Sequence, residues 1–527
     1  MGSGTYGPSL VLGQSPWPFL TLPHPPPCCT SISMQHNLED LASRTLARDA
    51  AQPAIEFEKR WISWGDMRRV ADRVATLIEA SGAGPSSPVA FVPHSRPSAV
   101  AALLGLIAHG RTVQMIYAFQ SSAGIARDIG RVDPALVVAH AEDFTPEVLA
   151  ALRASGAAAI ALTEMAAAPV PGFEAVTRPP ETGVASQPEI QILTSGTTGP
   201  PKRFALGYNT IATYSAGANT LSASFQDDQS HLPPALLYFP LGNISGIYGI
   251  LPTLLRGQRV VLLERFTVAA WHDHLLRYRP ERGGLPPAGV QMVLDANLPR
   301  EDLACLRYIG TGAAPVDPTA HRAFEDRYGV KLLLSYGATE FGGPVAAMTA
   351  DLHAAWGEQK FGSVGRAFAG AQLRIVDPNT GVTLPSGQEG LLEVISPRIG
   401  PHWIRTSDMA VIDEDGFLFH RGRADGAIMR GGFKMLPETI EHALLLHPAI
   451  SAAGVVGLPD KRLGQVPAAA VQLKQGIERP TEAALESHLR DHVYATHIPV
   501  AWRFVPELPR TVSLKIDRLA LRQLFET

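Results

Sequence analysis

Residues 190–202 read IQILTSGTTGPPK, in which a short apolar run leads into hydroxyl residues, glycines, two prolines and a lysine. The apolar run predicts a β-strand, and the residues that follow it predict a loop. Glycine lets consecutive backbone N–H groups point at one anion, and the hydroxyl groups add further donors. Lys202 adds a positive charge on a flexible stem. The stretch therefore predicts a loop that binds phosphate at the end of a strand.

Two other interpretations of this stretch compete with the first. A Walker-type P-loop ends in Gly-Lys-Ser or Gly-Lys-Thr. Here Pro201 precedes the lysine and Arg203 follows it, which excludes that motif. An ordinary turn between two elements stays open, because a single glycine-rich loop does not identify a phosphate site.

Length and charge restrict the class of protein. The chain has 527 residues and a formal net charge of -4. This length favours more than one domain, and the small charge gives no indication of a nucleic-acid partner. No apolar run is long enough to span a bilayer. Cys28, Cys29 and Cys305 form neither a disulfide framework nor a metal site, so we expect a reducing, cytoplasmic protein.

The first 33 residues differ from the rest of the chain. They are rich in proline, glycine and serine and contain neither lysine nor arginine. A secretory signal needs a basic start and an unbroken apolar middle, which this segment lacks. We expect residues 1–33 to be a disordered extension.

From about Leu38 the pattern is amphipathic and helical, and a helix is expected to begin at Ser63 or Asp66. Short apolar runs then alternate with helical stretches. The runs with strand character are Val89–Val92, Thr112–Tyr117, Ala135–Ala139, Ala158–Leu162, Ile190–Thr194, Leu236–Phe239, Val260–Leu263, Cys305–Ile309 and Leu332–Ser335. This alternation predicts an α/β fold with mostly parallel sheets covered by helices on both faces. Ligands of such sheets bind at the carboxyl ends of the strands, where the predicted phosphate loop lies.

Further motifs follow the phosphate loop along the chain. They are PLGNISG at 240–246, GTGAAP at 310–315, YGATE at 336–340, GSVGR at 362–366, WIRTSD at 403–408, GFLFHRGRAD at 416–425, GGFK at 431–434 and LPRTVSLKIDR at 508–518. Together these motifs resemble, in order, those of the adenylate-forming superfamily, which includes acyl-CoA synthetases, luciferases and peptide-synthetase adenylation domains. The resemblance extends from about Leu38 to Phe525. It implies a large N-terminal domain, residues 34–423, and a small mobile α+β C-terminal domain, residues 424–527, that carries a catalytic lysine.

The resemblance also implies roles for individual residues around ATP. The nucleotide-binding set is Thr194, Ser195, Gly196, Thr197, Thr198, Lys202, Gly312, Ala313, Ala314, Tyr336, Asp408 and Arg423. Tyr336 would lie against the adenine, and Asp408 would accept hydrogen bonds from the ribose hydroxyls. The implied catalytic residues are Thr339 at the α-phosphate, Glu340 as the ligand of Mg²⁺, and Lys515 between the acid and the α-phosphate.

By the same resemblance, the acid pocket contains Asn243, Tyr248, Gly337 and Phe341. Asn243 offers no charge to an ammonium group, which disfavours an amino-acid substrate. Five glycines, at positions 242, 246, 249, 342 and 343, suggest a roomy pocket. Tyr248 and Phe341 suggest an apolar or ring-bearing substrate, as in fatty or aromatic acid metabolism.

The sequence therefore predicts an ATP-dependent carboxylic acid–CoA ligase that forms an acyl-adenylate and then a thioester, releasing pyrophosphate and AMP. Its cofactors would be ATP, Mg²⁺ and coenzyme A, with Asp425 as the hinge and Gly432 and Lys434 near CoA. Its partners would be a small carboxylic acid and CoA, and a homodimer stays open.

Two alternatives also stay open. The chain could be a stand-alone adenylation enzyme that loads a carrier protein. It could instead be a nucleotide-binding pseudoenzyme, since Asn243, Ser407 and Leu514 depart from the usual family residues. An oxygenase of the luciferase type is a more distant third.

Overall fold

A computed structural model describes residues 37–177, 187–194, 202–216, 228–424, 426–430, 433–460, 463–511 and 514–526. The extension expected at residues 1–33 lies outside these ranges. Within them, no helix combines the length and apolar character that crossing a membrane requires.

The strands of the described residues are named in chain order. They are β1 Pro53–Phe57, β2 Arg60–Ser63, β3 Val89–Val92, β4 Val113–Met115, β5 Leu136–His140, β6 Ala158–Leu162, β7 Ala167–Pro169, β8 Glu189–Thr194, β9 Lys202–Gly207, β10 Ala235–Leu237, β11 Val260–Leu262, β12 Arg282–Gly284, β13 Tyr308–Gly312, β14 Lys331–Ala338, β15 Gly343–Ala347, β16 Arg366–Ala367, β17 Gln372–Val376, β18 Glu389–Ile395, β19 Ile404–Ile412, β20 Leu418–Arg423, β21 Ile428–Arg430, β22 Phe433–Met435, β23 Ile450–Asp460, β24 Gly464–Leu473 and β25 Ala501–Val505.

The α-helices are named in the same way. They are α1 Leu38–Leu46, α2 Trp64–Ala80, α3 Pro97–Ala108, α4 Ser122–Val132, α5 Pro146–Ser155, α6 Tyr208–Ala216, α7 Ile244–Leu255, α8 Val268–Tyr278, α9 Pro287–Asp295, α10 Pro318–Tyr328, α11 Ala350–Trp356, α12 Pro437–Leu445, α13 Glu482–Arg490 and α14 Arg518–Gln523. Ser63 caps α2 as predicted, because its Oγ accepts from the Asp66 amide at 3.1 Å while Asp66 accepts from the Ser63 amide at 3.0 Å.

A seven-stranded sheet in the order β7-β6-β5-β3-β4-β8-β9 confirms the predicted α/β architecture. Its strands are parallel from β6 to β8, and both edge strands are antiparallel. Alternate residues of β3 enter different cores, since Phe91 packs in the cluster that includes α2 and α3, and Ala90 in the cluster that includes α4 and α5. Helices therefore cover both faces, as expected for a parallel sheet.

Four further sheets complete the described fold. Their strand orders are β10-β11-β1-β2, β12-β13-β14-β15-β16, β17-β18-β19-β20, and β22-β21-β24-β23 with β25 paired to β24. The β17–β20 sheet is wholly antiparallel and was not predicted from the sequence. The predicted strand Cys305–Ile309 was placed too early. The strand begins at Tyr308, because the amide of Leu306 still bonds to Leu303 O, at 2.9 Å, in the preceding 3₁₀ turn.

The change from one sheet to the next lies near the predicted domain boundary. Strand β20 ends the antiparallel sheet at Arg423, and β21 begins the C-terminal sheet at Ile428. Helices α12, α13 and α14 accompany this last sheet, which gives the C-terminal part its α+β character. The division into residues 34–423 and 424–527 stays a prediction.

A buried charge cluster connects the carboxyl ends of β3, β5 and β11. His94 Nε2 lies 3.1 Å from Asp143 Oδ1, and His94 Nδ1 lies 3.3 Å from Glu264 Oε1. Arg96 contacts the same Glu264 at 3.1 Å. Burial alone would lower the pKa of His94, but the hydrogen bond to Asp143 and the adjacent Glu264 carboxylate outweigh it and raise this pKa to about 9. Next to it, burial and the charges of Arg96 and His94 lower the pKa of His140 to about 4.

We expect the stabilisation by protonated His94 to disappear in alkaline solution. Its pKa of about 9 in the folded protein exceeds the unfolded value of about 6.5. The contribution is therefore complete below about pH 6.5 and is lost as the pH rises through about 9. Urea titrations measure the free energy of unfolding that His94→Gln loses relative to the wild type. This loss should be about 1–2 kcal/mol larger at pH 6.5 than at pH 9.5. An equal difference at both pH values would contradict this assignment.

Candidate active site

Two neighbouring parallel strands bring together the predicted adenine and α-phosphate segments. Gly312, at the end of β13, pairs with Ser335 of β14. Strand β14 then carries Tyr336 and leads into the 3₁₀ turn Thr339–Phe341. Ala313 follows Gly312 with a φ of 69°, so the chain turns away directly after the strand. The motifs at 310–315 and 336–340 therefore share one edge of the sheet.

A buried carboxylate connects this edge to the antiparallel sheet. Asp408, on β19, accepts a hydrogen bond from the Tyr336 hydroxyl, and its Oδ1 lies 3.4 Å from His420 Nε2. Burial raises the pKa of Asp408, but the hydrogen bonds from His420 and Tyr336 and the charge of Arg423 outweigh it, so its net pKa lies below the usual value. Asp408 is therefore an ionised acceptor at neutral pH. Burial and this carboxylate raise the pKa of Tyr336.

His420 was not singled out from the sequence. It belongs to the motif at 416–425, but the family resemblance assigned it no role. Its contact with Asp408 follows from the pairing of β19 with β20, in which Ala410 lies opposite His420. Only that register, and no motif spacing, could have indicated the contact.

The unusual Ser407 has a defined partner. Its Oγ accepts a hydrogen bond of 2.6 Å from Arg423 Nη2, while Asp408 and Arg423 lie opposite each other in the β19–β20 pair. The serine that replaces the usual family glycine therefore adds an anchor for Arg423.

The C-terminal loop brings Lys515 close to these charges. The amide of Thr511 donates to Lys515 O at 2.8 Å, and Arg510 pairs with Ile516, so the loop forms a narrow turn. The pKa of Lys515 lies below its usual value, mainly because the protein desolvates its ammonium and also because Arg423 carries the same charge. The carboxylates of Asp408 and Glu340 raise this pKa, but by less. Charges of β19, β20 and the 339–341 turn thus act on Lys515, which is itself exposed to solvent.

Leu514, where relatives have glycine, attaches this loop to the large domain. Its φ is 60°, which side chains other than glycine rarely adopt. The side chain packs against the buried cluster that contains Tyr238, Phe266 and Leu285. Leu514 also lines a groove together with Phe266 and Arg510. Packing therefore offsets an unfavourable backbone conformation.

The predicted acid pocket is only partly supported. Asn243 precedes α7 as its N-cap residue, and Tyr248 lies on α7 with ring atoms 3.5 Å from where a Cβ on Gly343 would be. Phe341, however, is 2% exposed and packs in the core with Tyr336 and Leu392. Phe341 therefore has a role in core packing, and its place in the pocket wall stays a prediction.

Two of the predicted pocket glycines have a backbone explanation instead. A Cβ on Gly337 would lie 2.5 Å from Pro344 Cα on the paired strand β15. A Cβ on Gly246 would lie 2.1 Å from Pro240 O. Close approach of neighbouring backbone, rather than space for a substrate, requires glycine at these two positions.

Part of the predicted site lies outside the described residues. These residues are Ser195, Gly196, Thr197, Thr198, Asp425 and Gly432. Thr194 and Lys202 pair across the antiparallel strands β8 and β9, so the predicted phosphate loop joins these two strands. Lys434 lies in β22. Among the described side chains, no group of three or more His, Cys, Asp or Glu residues could hold a metal ion.

Comparison with protein families agrees with this arrangement. Residues 42–401 match the model of the AMP-binding enzyme family, and residues 439–515 match that of the AMP-binding enzyme C-terminal domain. The chain belongs to the AMP-binding enzyme family. The prediction of an adenylate-forming acid–thiol ligase is confirmed.

Two similar proteins of the AMP-binding family are CoA ligases. The sulfoacetate–CoA ligase of Cupriavidus necator is 28% identical over 492 residues, which cover 87% of this chain and 92% of that protein. The 2-succinylbenzoate–CoA ligase of Bacillus cereus is 31% identical over 357 residues, or 64% of this chain and 70% of that protein.

Solved structures share the fold of this AMP-binding enzyme. ATP-bound MatB from Rhodopseudomonas palustris has a TM-score of 0.76 at 23% identity, covering 93% of this chain and 99% of that one. The apo form of the same protein, with the same coverage and identity, has a TM-score of 0.65.

We expect Gly337→Ala to lower the stability of the AMP-binding enzyme by about 1–3 kcal/mol, because the new methyl group cannot fit beside Pro344. Gly249→Ala is the matched control: its Cβ would meet only Leu237 and Phe239 side-chain atoms at 3.7 and 4.0 Å, so its stability should be unchanged or slightly higher. Thermal unfolding of both variants tests this. Equal melting temperatures would show that Gly337 is not needed for strand pairing.

Proposed function

We propose that this AMP-binding enzyme joins a carboxylic acid to CoA through an acyl-adenylate. The observation that carries the proposal is the set of charges around Lys515. Arg423, Asp408 and Glu340 come from separate elements and all act on its ammonium. This set contains the cations and the ribose acceptor that an adenylating site needs.

In the first half-reaction, an oxygen of the acid attacks the α-phosphorus of ATP, and the bond to the pyrophosphate oxygen breaks. Both reactants are anionic, so positive charge held in place lowers the barrier. Lys515 would neutralise the acid and the α-phosphate, and Thr339 would hydrogen-bond the same phosphate. The ionised Asp408 would accept from both ribose hydroxyls, while Tyr336, held by Asp408, would lie against the adenine.

Glu340 is the residue that fits Mg²⁺. Its carboxylate is exposed on the turn after β14, and a hard oxygen ligand suits this ion. Magnesium usually takes few protein ligands because phosphates and water supply the rest, which is consistent with the lack of a larger acidic cluster among the described residues. When bound, the ion would offset phosphate charge.

In the second half-reaction, the thiol sulfur of CoA attacks the acyl carbon, the bond to AMP breaks and the thiol proton leaves to solvent. Lys515 occupies the reaction centre, so we propose that the C-terminal domain rotates about Asp425 to present Gly432 and Lys434 instead. The CoA ligase names of the relatives support CoA as acceptor.

The class of acid is the least defined part of the proposal. The sequence favoured an apolar or ring-bearing acid, but Phe341 belongs to the core. The names of the two relatives give sulfoacetate and 2-succinylbenzoate, both of which carry a second anionic group. The two indications disagree on whether the acid is apolar or carries a second charge, so charged residues near the acid pocket can distinguish them.

We expect Lys515→Ala to slow acid-dependent pyrophosphate release about a thousandfold, since a preorganised charge at the α-phosphate is lost. Thioester formation from a supplied acyl-adenylate should persist. The two half-reactions are measured separately, with free CoA and with a phosphopantetheinylated carrier protein.

Unchanged pyrophosphate release would refute the role of Lys515. Thioester formation on the carrier alone would favour carrier loading, and acid-independent nucleotide binding without exchange would favour a pseudoenzyme.

We expect Leu514→Gly to alter the two half-reactions in opposite directions. It removes the packing that holds the loop and relieves a left-handed conformation that costs about 1–2 kcal/mol. Adenylation should slow about tenfold, whereas the thiol step should become several-fold faster in single turnovers. Leu514→Ala keeps the positive-φ constraint but loses the packing, which separates the two effects. Unchanged rates in both half-reactions would contradict an attachment role.

A further inference from the structure

We infer that the acid substrate carries a second anionic group and that Arg398 binds this group. The inference rests on the proposed adenylation of an acid and specifies its chemical class.

Arg398 is anchored beside the turn that follows Thr339 and Glu340. Arg398 Nη1 donates to Pro344 O at 2.6 Å, and Ser396 Oγ donates to Phe341 O at 2.6 Å. A Cβ on Gly342 would lie 3.0 Å from Arg398 Cβ. These contacts fix the loop after β18 against the Gly342–Gly343 pair, which adjoins the proposed reaction centre.

Two tyrosines flank the guanidinium of Arg398. Arg398 Cζ lies 4.5 Å from the ring centroid of Tyr214, on α6, and 5.8 Å from that of Tyr248, on α7. Aromatic faces attract a guanidinium and hold its plane. Tyr248 ring atoms lie 3.5 Å from where a Cβ on Gly343 would be, so Arg398 lies next to the predicted acid pocket.

The charge of Arg398 has no acidic partner among the described residues. Its Nε is buried there without a hydrogen bond, and so is the Tyr248 hydroxyl. Arg518, by comparison, pairs with Glu438 and Glu441 at 3.1 and 2.8 Å. A desolvated cation without an anion is unfavourable, although an arginine stays protonated even when burial lowers its pKa.

One end of a dianionic acid would supply the anion that pairs with Arg398. The carboxylate that reacts needs the lysine and the α-phosphate, so it would lie at the Lys515 end of the site. A guanidinium fork binds carboxylate or sulfonate through two parallel hydrogen bonds. An acid with two anionic ends would therefore contact Lys515 with one end and Arg398 with the other.

The test uses pairs of acids that differ in one charge. Acid-dependent ATP–pyrophosphate exchange is measured with succinate against butyrate, glutarate against pentanoate, sulfoacetate against propionate, and phthalate against benzoate. We expect at least one dianionic acid to exceed its partner about a hundredfold in kcat/KM, the scale of one charge-assisted contact. Arg398→Met should abolish this preference, and the value for the monoanionic acid should change less than about threefold.

Two further variants serve as controls. Arg398→Lys keeps the charge without the fork and should retain part of the preference. Arg503→Met is the matched control, because Arg503 also lies over an aromatic ring, 5.3 Å from the centroid of Phe525, and donates to Leu524 O at 2.9 Å. It should leave both acids of each pair unaffected. Thermal unfolding of all variants identifies any loss that comes from misfolding.

Three results would overturn the inference. The first is a wild-type preference for the monoanionic acid in every pair. The second is an equal loss for both acids in Arg398→Met, because that would assign Arg398 to the reacting carboxylate or to the turn itself. The third is wild-type exchange with no acid at all, in which case the proposed function fails first and the second-anion site fails with it.

Discussion

The buried carboxylate of Asp408 is the contact on which the arrangement of the site depends. It receives the hydroxyl of Tyr336 from one sheet, and it lies opposite Arg423 and next to His420 within another. A desolvated anion is stable only when such donors surround it. The same two sheets share an apolar core, in which Tyr336 packs with Leu392 and Ala410, and the carboxylate adds a polar contact to it. The charge of Asp408 also raises the pKa of Lys515, which belongs to the C-terminal part of the chain.

The architecture was largely predictable because it depends on local pattern. Buried runs such as Val89–Val92 appear in the parallel sheet at their predicted positions, and Ser63 caps α2 through its own near neighbours. The antiparallel β17–β20 sheet was not predicted, because strands such as β17 and β19 mix buried and partly exposed positions and contain polar or charged residues among the apolar ones. The strand expected at Cys305 begins at Tyr308, since a 3₁₀ turn continues further than its composition indicates.

The site was less predictable, and the reason differs from residue to residue. Tyr336, Asp408, Arg423 and Lys515 stand in motifs, so the resemblance identified them, and the structure brings them together. Gly337 stands in the motif at 336–340 and Phe341 directly follows it, but strand pairing and core packing account for these two residues, which neighbouring residues in the sequence do not reveal. Arg398 stands outside every quoted motif. Its aromatic neighbours are more than a hundred residues away in the chain, so only the folded structure shows its surroundings.

The His94 cluster has a consequence for the lysine loop. Glu264, which it holds, directly precedes Arg265 and Phe266, and these two residues line the same groove as Leu514. Contacts of His94 and Arg96 with Glu264 therefore fix the chain one residue before this groove. The packing of the lysine loop is thus connected to paired charges from a distant part of the sequence.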